Sequence, residues 1–127
     1  MCLRGASETQ KVLDNLKGQD VKVYSAWEPM LPSDARYAVG RATKNLTDPR
    51  VSHFWDSDGV LAKSFAPVLG LQNGRAWDVY LLYDRDAEWT DTPPKPEFWQ
   101  EQLGISEETK LDGAKLQAEI SKLMAKT

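Results

Sequence analysis

The chain has one thiol, one imidazole and two Trp-Asp pairs, and any chemistry it performs has to be sought first among these groups. Cys2 opens the run Cys2-Leu3-Arg4-Gly5-Ala6. A thiol reacts as its thiolate, and the thiolate is favoured by a nearby cation and by the unpaired N–H groups at a helix start. Arg4 supplies such a cation. With no second cysteine in the chain, Cys2 cannot close an intramolecular disulfide or complete a dithiol cycle. It can still form a mixed disulfide with a protein thiol or glutathione, or pair with a second copy. The plain alternative is an inert thiol at a frayed terminus. Removal of Met1 would expose Cys2 as an N-terminal nucleophile, but that chemistry needs an oxyanion hole and a layered β-rich fold.

Trp55-Asp56 and Trp77-Asp78 each lie on or at the end of a strand-like run, and Trp27 ends another. A carboxylate beside an indole can lock a core by accepting its N–H, or can take protons in a cleft beside a thiol. Trp27, Trp55, Asp56, Trp77, Asp78 and Arg4 are therefore the candidate binding residues around Cys2, and Asp34 is a minor further candidate. His53 reads as a surface or half-buried strand residue. With Asp56 and Asp58 it makes too few ligands for zinc. Asp56-Ser57-Asp58-Gly59 opens like a calcium loop but has no glutamate at the required distance, and Asp58 reads as a helix cap. No metal and no cofactor is expected. Asn45-Leu46-Thr47 is a three-residue glycosylation match and weak evidence by itself. Pro93-Pro94-Lys95-Pro96 reads as a rigid connector.

The 127 residues suffice for one domain with a real core. A net charge of -3 and the lack of a Lys/Arg run argue against a nucleic-acid partner. The apolar runs are strand-sized, well short of the roughly 20 residues of a membrane span. Residues 1–5 have no signal-peptide apolar run, so the chain as given reads as cytoplasmic, and export would need an upstream segment.

To position these groups, periodicity predicts a helix over 4–17, stopped by Gly18, and a strand over 21–27. A helix capped by Ser33 or Asp34 runs to about Leu46, and a strand covers 51–55. A short helix reaches about Leu69, and Ala76 to Tyr83 is the strongest strand. Asp84-Arg85-Asp86 turns into a short strand at 87–90, Glu97 to Leu103 reads as a helical turn, and 111–125 is an amphipathic helix. Strands alternating with helices imply an α/β fold with βαβ units and a central, mostly parallel sheet that closes in an antiparallel hairpin, flanked by helices.

This order, with Cys2 at the start of the first helix, resembles the thioredoxin-like fold. That family carries Cys-x-x-Cys at a helix start. The resemblance implies that Cys2 is the second of those cysteines, with the first three positions upstream of it and a leading strand earlier still. His53-Phe54-Trp55-Asp56-Ser57-Asp58-Gly59-Val60-Leu61-Ala62 is similar to a strand–Asp–Asp-Gly–helix segment of thioredoxin-like reductases and peroxiredoxins. Gly74 to Tyr83 stands where the family has its next strand. The family usually has a cis-proline just before that strand, and here Ala76-Trp77 stand there. Trp-Asp-Val-Tyr resembles an uncharacterised group of bacterial thioredoxin-like proteins. The resemblance implies one thioredoxin-like domain over 1–127, lacking the usual first strand, and a thiol–disulfide oxidoreductase-related function through Cys2. The rival is a non-catalytic module that binds a partner protein through an aromatic-rich face, favoured by the missing cysteine and proline. A missing strand would leave a sheet edge open, which predicts a homodimer or larger assembly.

Overall fold

A computed structural model describes residues 3–28, 43–71, 74, 76 and 78–126. The architecture is mixed α/β. In chain order come α1 (Leu3–Asn15), β1 (Val23–Trp27), a 3-10 turn (Thr43–Asn45), β2 (Val51–Trp55), α2 (Val60–Leu69), β3 (Val79–Leu82), β4 (Phe98–Glu101) and α3 (Gly113–Ala125). The chain divides into two compact units, Met1–Val60 and Leu61–Thr127.

In the first unit β1 and β2 pair in parallel, with Val23 opposite Val51 and Trp27 opposite Trp55. Parallel strands need a crossover of a dozen or more residues, which the segment between Trp27 and Val51 provides. The helix predicted from Ser33 or Asp34 falls mostly outside the described residues, as does Asp34 itself. Its far end is the 3-10 turn that leads to Leu46. α1 buries Ala6, Val12 and Leu13 on one face, with Leu16 just beyond its end. Ala6 and Leu13 join Trp27 and Leu46 in a core that Val21, Val23, Val51 and Trp55 flank. Each buried leucine here contributes about 1.5–3 kcal/mol. The alternation along β1 sends Val23, Ser25 and Trp27 inward and leaves Tyr24 and Ala26 exposed.

In the second unit β3 and β4 pair antiparallel, Leu82 opposite Phe98 and Val79 opposite Glu101. α2 buries Ala62 and Ala66, one turn apart. It ends with Gly70 at φ 69°, where the Gly70 N–H donates to the Pro67 carbonyl and the Leu71 N–H reaches back to the Ala66 carbonyl. This double closure needs the left-handed backbone that glycine accepts without strain. α3 is capped by Asp112, whose carboxylate accepts the Lys115 N–H, and it buries Leu116 and Ile120. An Asp cap of this kind is worth about 1 kcal/mol.

Several expectations are corrected here: the described strands form one parallel pair and one antiparallel pair, not one central, mostly parallel sheet. Residues 87–90 form no strand, and Glu97 to Leu103 is no helical turn; the partner of β3 is Phe98–Glu101. The turn at Asp84 does form, with the Ala87 N–H donating to the Asp84 carbonyl. The chain then runs on through the proline-rich segment, where missing N–H groups prevent a ladder. Tyr83 anchors that segment by donating its hydroxyl to the Pro94 carbonyl at 2.8 Å, and pairing resumes when the Glu97 N–H meets the Leu82 carbonyl at 2.9 Å. The predicted strand 76–83 is shorter, starting after Asp78, whose φ of 52° breaks the extended run.

Candidate functional site

Of the described candidates, the first unit brings Trp27, Trp55 and Asp56 together. Trp27 and Trp55 are register partners at the ends of β1 and β2, and the Asp56 N–H extends the ladder by donating to the Trp27 carbonyl at 2.7 Å. Arg4 lies in the first turn of α1 and is exposed. Cys2 precedes α1 in the chain and lies outside the described residues, as does Trp77. Asp78 belongs to the second unit, where its carbonyl accepts the Gln102 N–H at 2.9 Å ahead of β3.

The indole contact at the centre of this neighbourhood goes to an imidazole. Trp27 Nε1–H donates to His53 Nδ1 at 3.0 Å. An indole nitrogen is a donor only, so Nδ1 must accept and the ring proton must sit on Nε2. Nε2–H then donates to the Leu46 carbonyl at 3.0 Å. The two rings lie within 28° of coplanar with centroids 6.1 Å apart, so they meet edge to edge, in the plane of the hydrogen bond. The bridge spans β1, β2 and the end of the 3-10 turn, and it lies against core residues, since Trp27 and Leu46 are both buried.

Two residues that sequence reasoning passed over fix the ends of α1 and β2. Arg50 uses all five of its guanidinium N–H groups. Nε and one terminal nitrogen form a fork on the Asp48 carboxylate, each at 2.9 Å. The terminal nitrogens also donate to the carbonyls of Leu13, Leu16 and Gln19 at 2.8, 2.7 and 3.2 Å. These oxygens belong to the open C-terminal end of α1 and the turn after it, where a cation is favoured. Hydrogen bonds from the Arg50 side chain, and then from its backbone N–H, hold the Asp48 carboxyl down at about 2, against the opposing effect of burial. The same Asp48 contact raises the Arg50 pKa. Gln10 completes the link from α1: its side-chain oxygen accepts the N–H groups of Thr47 and Asp48 at 2.8 and 3.1 Å. Asp48-Pro49-Arg50 is visible as a turn in sequence, but nothing in its spacing reveals that the arginine reaches back to a helix end.

On its outward face the parallel pair carries Tyr24 and Phe54, 71% and 52% exposed, with ring centroids 6.2 Å apart. Lys22 Nζ lies 5.6 Å from the Tyr24 ring centroid and donates to the Ser52 hydroxyl. Among the described residues no three His, Cys, Asp or Glu side chains converge as a metal site would require, and no helix is long and apolar enough to cross a membrane. The chain matches no protein-family model, and no curated protein or solved structure is significantly similar to it.

Proposed function

We propose that the chain is a thioredoxin-like thiol domain in which Cys2 exchanges disulfides with a protein thiol or glutathione. The observation that carries this reading is the placement of α1. The helix starts at Leu3, directly after Cys2 in the chain, has no acidic residue in its first turn, and seats Ala6 and Leu13 against the parallel strand pair. The positive end of a helix dipole and the Arg4 cation both favour a thiolate at the preceding position. The element order supports the thioredoxin-like arrangement: a helix, a parallel pair joined by a crossover, a helix, an antiparallel pair and a closing helix. In the step itself the Cys2 thiolate attacks one sulfur of a disulfide such as oxidised glutathione. A Cys2–glutathione bond forms, the original S–S bond breaks, and glutathione thiolate leaves with the electron pair.

The test is the alkylation rate of Cys2 at neutral pH, measured beside free cysteine, together with mass-spectrometric detection of the glutathione adduct. A rate at least about tenfold above free cysteine, with the adduct abolished in Cys2→Ser, supports the reading. A rate no faster than free cysteine overturns it.

A second reading, a partner-protein module, draws on the exposed Tyr24–Phe54 pair, because aromatic residues are enriched where protein partners dock. It parts from the first in its mutational response. Replacing Tyr24 and Phe54 with serine would remove partner binding and leave Cys2 reactivity unchanged.

A further inference from the structure

The bridge through His53 holds in one protonation state only. Nδ1 accepts from the Trp27 indole and Nε2 donates to the Leu46 carbonyl, so both nitrogens are committed to the neutral ring with its proton on Nε2. A second proton on the imidazole would have to sit on Nδ1, where it would face the indole N–H across 3.0 Å. Two donors cannot share that contact. Trp27 is 8% exposed, so its indole has little access to water as a replacement acceptor, and an unpaired buried donor is costly. We propose that His53 is a proton-sensitive lock on the first unit: the neutral ring ties Trp27 on β1 to Leu46 at the end of the crossover, and protonation releases that tie.

Among the described residues, no ion pair to the ring is seen, and Asp56 and Glu28 are the carboxylates next in chain to β2 and β1. The bridge and the core it lies against draw on β1, β2, α1 and the 3-10 turn, and the charged side chains of these elements are engaged elsewhere or exposed. On α1, Glu8 pairs with Lys11, Asp14 accepts from Gln10, and Arg4 is exposed. Beside β2, Asp48 pairs with Arg50, and Lys44 in the 3-10 turn is exposed. On the outward side of the strand pair, Lys22 donates to Ser52. Among the described residues no carboxylate pairs with the imidazole to hold its charged form in place. Histidine is the side chain whose charge ordinarily changes between about pH 5 and 8, so acid is the stimulus by which to test the lock. The imidazolium keeps its Nε2–H on the Leu46 carbonyl, so what protonation releases is the Trp27 indole at the end of β1. This inference uses neither Cys2 nor its reactivity, and it stands or falls separately from the thiol reading.

The experiment follows the Trp27 indole N–H and the His53 ring nitrogens by NMR on the full chain from about pH 8 to about pH 5. At the upper end the His53 nitrogens should report the tautomer protonated on Nε2. As the ring gains its second proton, the protection of the Trp27 indole against hydrogen exchange should fall at least about fivefold, the equivalent of losing one neutral hydrogen bond. His53→Gln is the control, because a carboxamide can accept from the indole through its oxygen and donate to the carbonyl through its nitrogen without titrating. In that variant protection should not change with pH. The proposal is overturned if wild-type indole protection is constant over the range, or if His53→Gln shows the same fall. Should His53→Gln not fold, the wild-type spectra decide: a ring that carries its proton on Nδ1 at the upper end, or that titrates without moving the Trp27 indole resonance, sinks the lock.

Discussion

The two units place their buried charged groups differently. In the first, polar side chains tie together segments far apart in sequence. Arg50 reaches carbonyls 37, 34 and 31 residues earlier, Gln10 holds backbone 37 and 38 residues later, and Trp27 meets His53 across 26. In the second, the buried carboxylate of Glu101 works on its own loop. It accepts the N–H groups of Leu103 and Ile105 at 3.1 Å each and the Thr109 hydroxyl at 2.8 Å, from residues two, four and eight positions ahead. Both devices replace water around a charge with fixed donors. They differ in what they hold: the first unit staples its helix to its parallel pair, whereas the second shapes a loop whose ends β4 and α3 already fix. A parallel pair cannot be closed by a hairpin, so its long connection has to be held by contacts made at a distance.

The largest effect should therefore come from Arg50. Arg50→Met removes five charge-assisted hydrogen bonds and leaves the Asp48 carboxylate and three carbonyls without their partner. A loss of about 3 kcal/mol in urea-unfolding free energy is expected, since breaking one side of a largely buried charged network is costlier than the net worth of its bonds. Arg50→Lys should recover less than half of it, because one ammonium cannot reproduce the planar fork on Asp48 while also reaching three carbonyls. A loss below about 1 kcal/mol for Arg50→Met would show that the staple is dispensable and that apolar packing alone holds α1.

Glu101→Gln should cost less, about 2 kcal/mol, and its consequences should stay local. An amide offers one acceptor oxygen to a set of donors that now meets two oxygens, and its NH₂ group faces other N–H groups. Hydrogen exchange should quicken in residues 102–110 and remain unchanged in α2. Spread of the effect through the whole second unit would erase the contrast drawn above.

Acid should sharpen the same comparison. Burial acts to raise the Glu101 pKa, but the hydrogen bonds from Thr109 and from the N–H groups of Leu103, Ile105 and Ser106 outweigh it, and the net shift is downward. Asp48 is pulled from 3.8 to about 2. A carboxyl with a lowered folded-state pKa adds stability above its unfolded pKa, and that contribution is lost as pH falls through the folded value. Stability should therefore decline as pH drops from 3.8 toward about 2. The decline should be shallower in Arg50→Met, where Asp48 has lost the contact that lowers it. An identical acid slope in the two proteins would mean that Asp48 is not held by Arg50 in solution.

The sequence-based reading succeeded where periodicity is strong and local. β2 was expected at 51–55 and lies there; α1, α2 and α3 match their apolar spacing within a few residues. It failed at β4, where Glu97-Phe98-Trp99-Gln100-Glu101 carries two aromatics and three long polar residues with neither helical nor strand alternation. What makes it a strand is pairing with β3, and that is tertiary information. The site divides in the same way. Trp27, Trp55 and Asp56 were recognisable by type, and the register of the parallel pair brings them together. His53 was read as an ordinary strand residue because its significance lies in two partners on other elements, Trp27 and the Leu46 carbonyl. Arg50 gave no signal, since a helix C-terminus accepts help from any cation that reaches it.

The smallest expected effect lies at a buried position of β4. Gln100 is 0% exposed, stands opposite Tyr80 on β3, and neither its side-chain oxygen nor its nitrogen has a hydrogen-bond partner. Its neighbour on the same face, Phe98, has the Lys115 ammonium of α3 5.9 Å from its ring centroid. An amide desolvated without partners costs about 1–3 kcal/mol, whereas a thioether of similar length fills the same space without that penalty. Gln100→Met should therefore raise the urea midpoint with an unchanged slope, a gain of about 1 kcal/mol, part of the penalty being kept as imperfect packing. This is the one substitution here expected to stabilise, and it tests the contrast from the opposite side. If loop-local and sheet-covering polar groups in the second unit are not all serving structure, then removing an unpaired one should help, while removing Glu101, satisfied by the donors of its own loop, should harm. A loss of stability in Gln100→Met would show that the amide is paired in solution and that the second unit is as fully satisfied as the first.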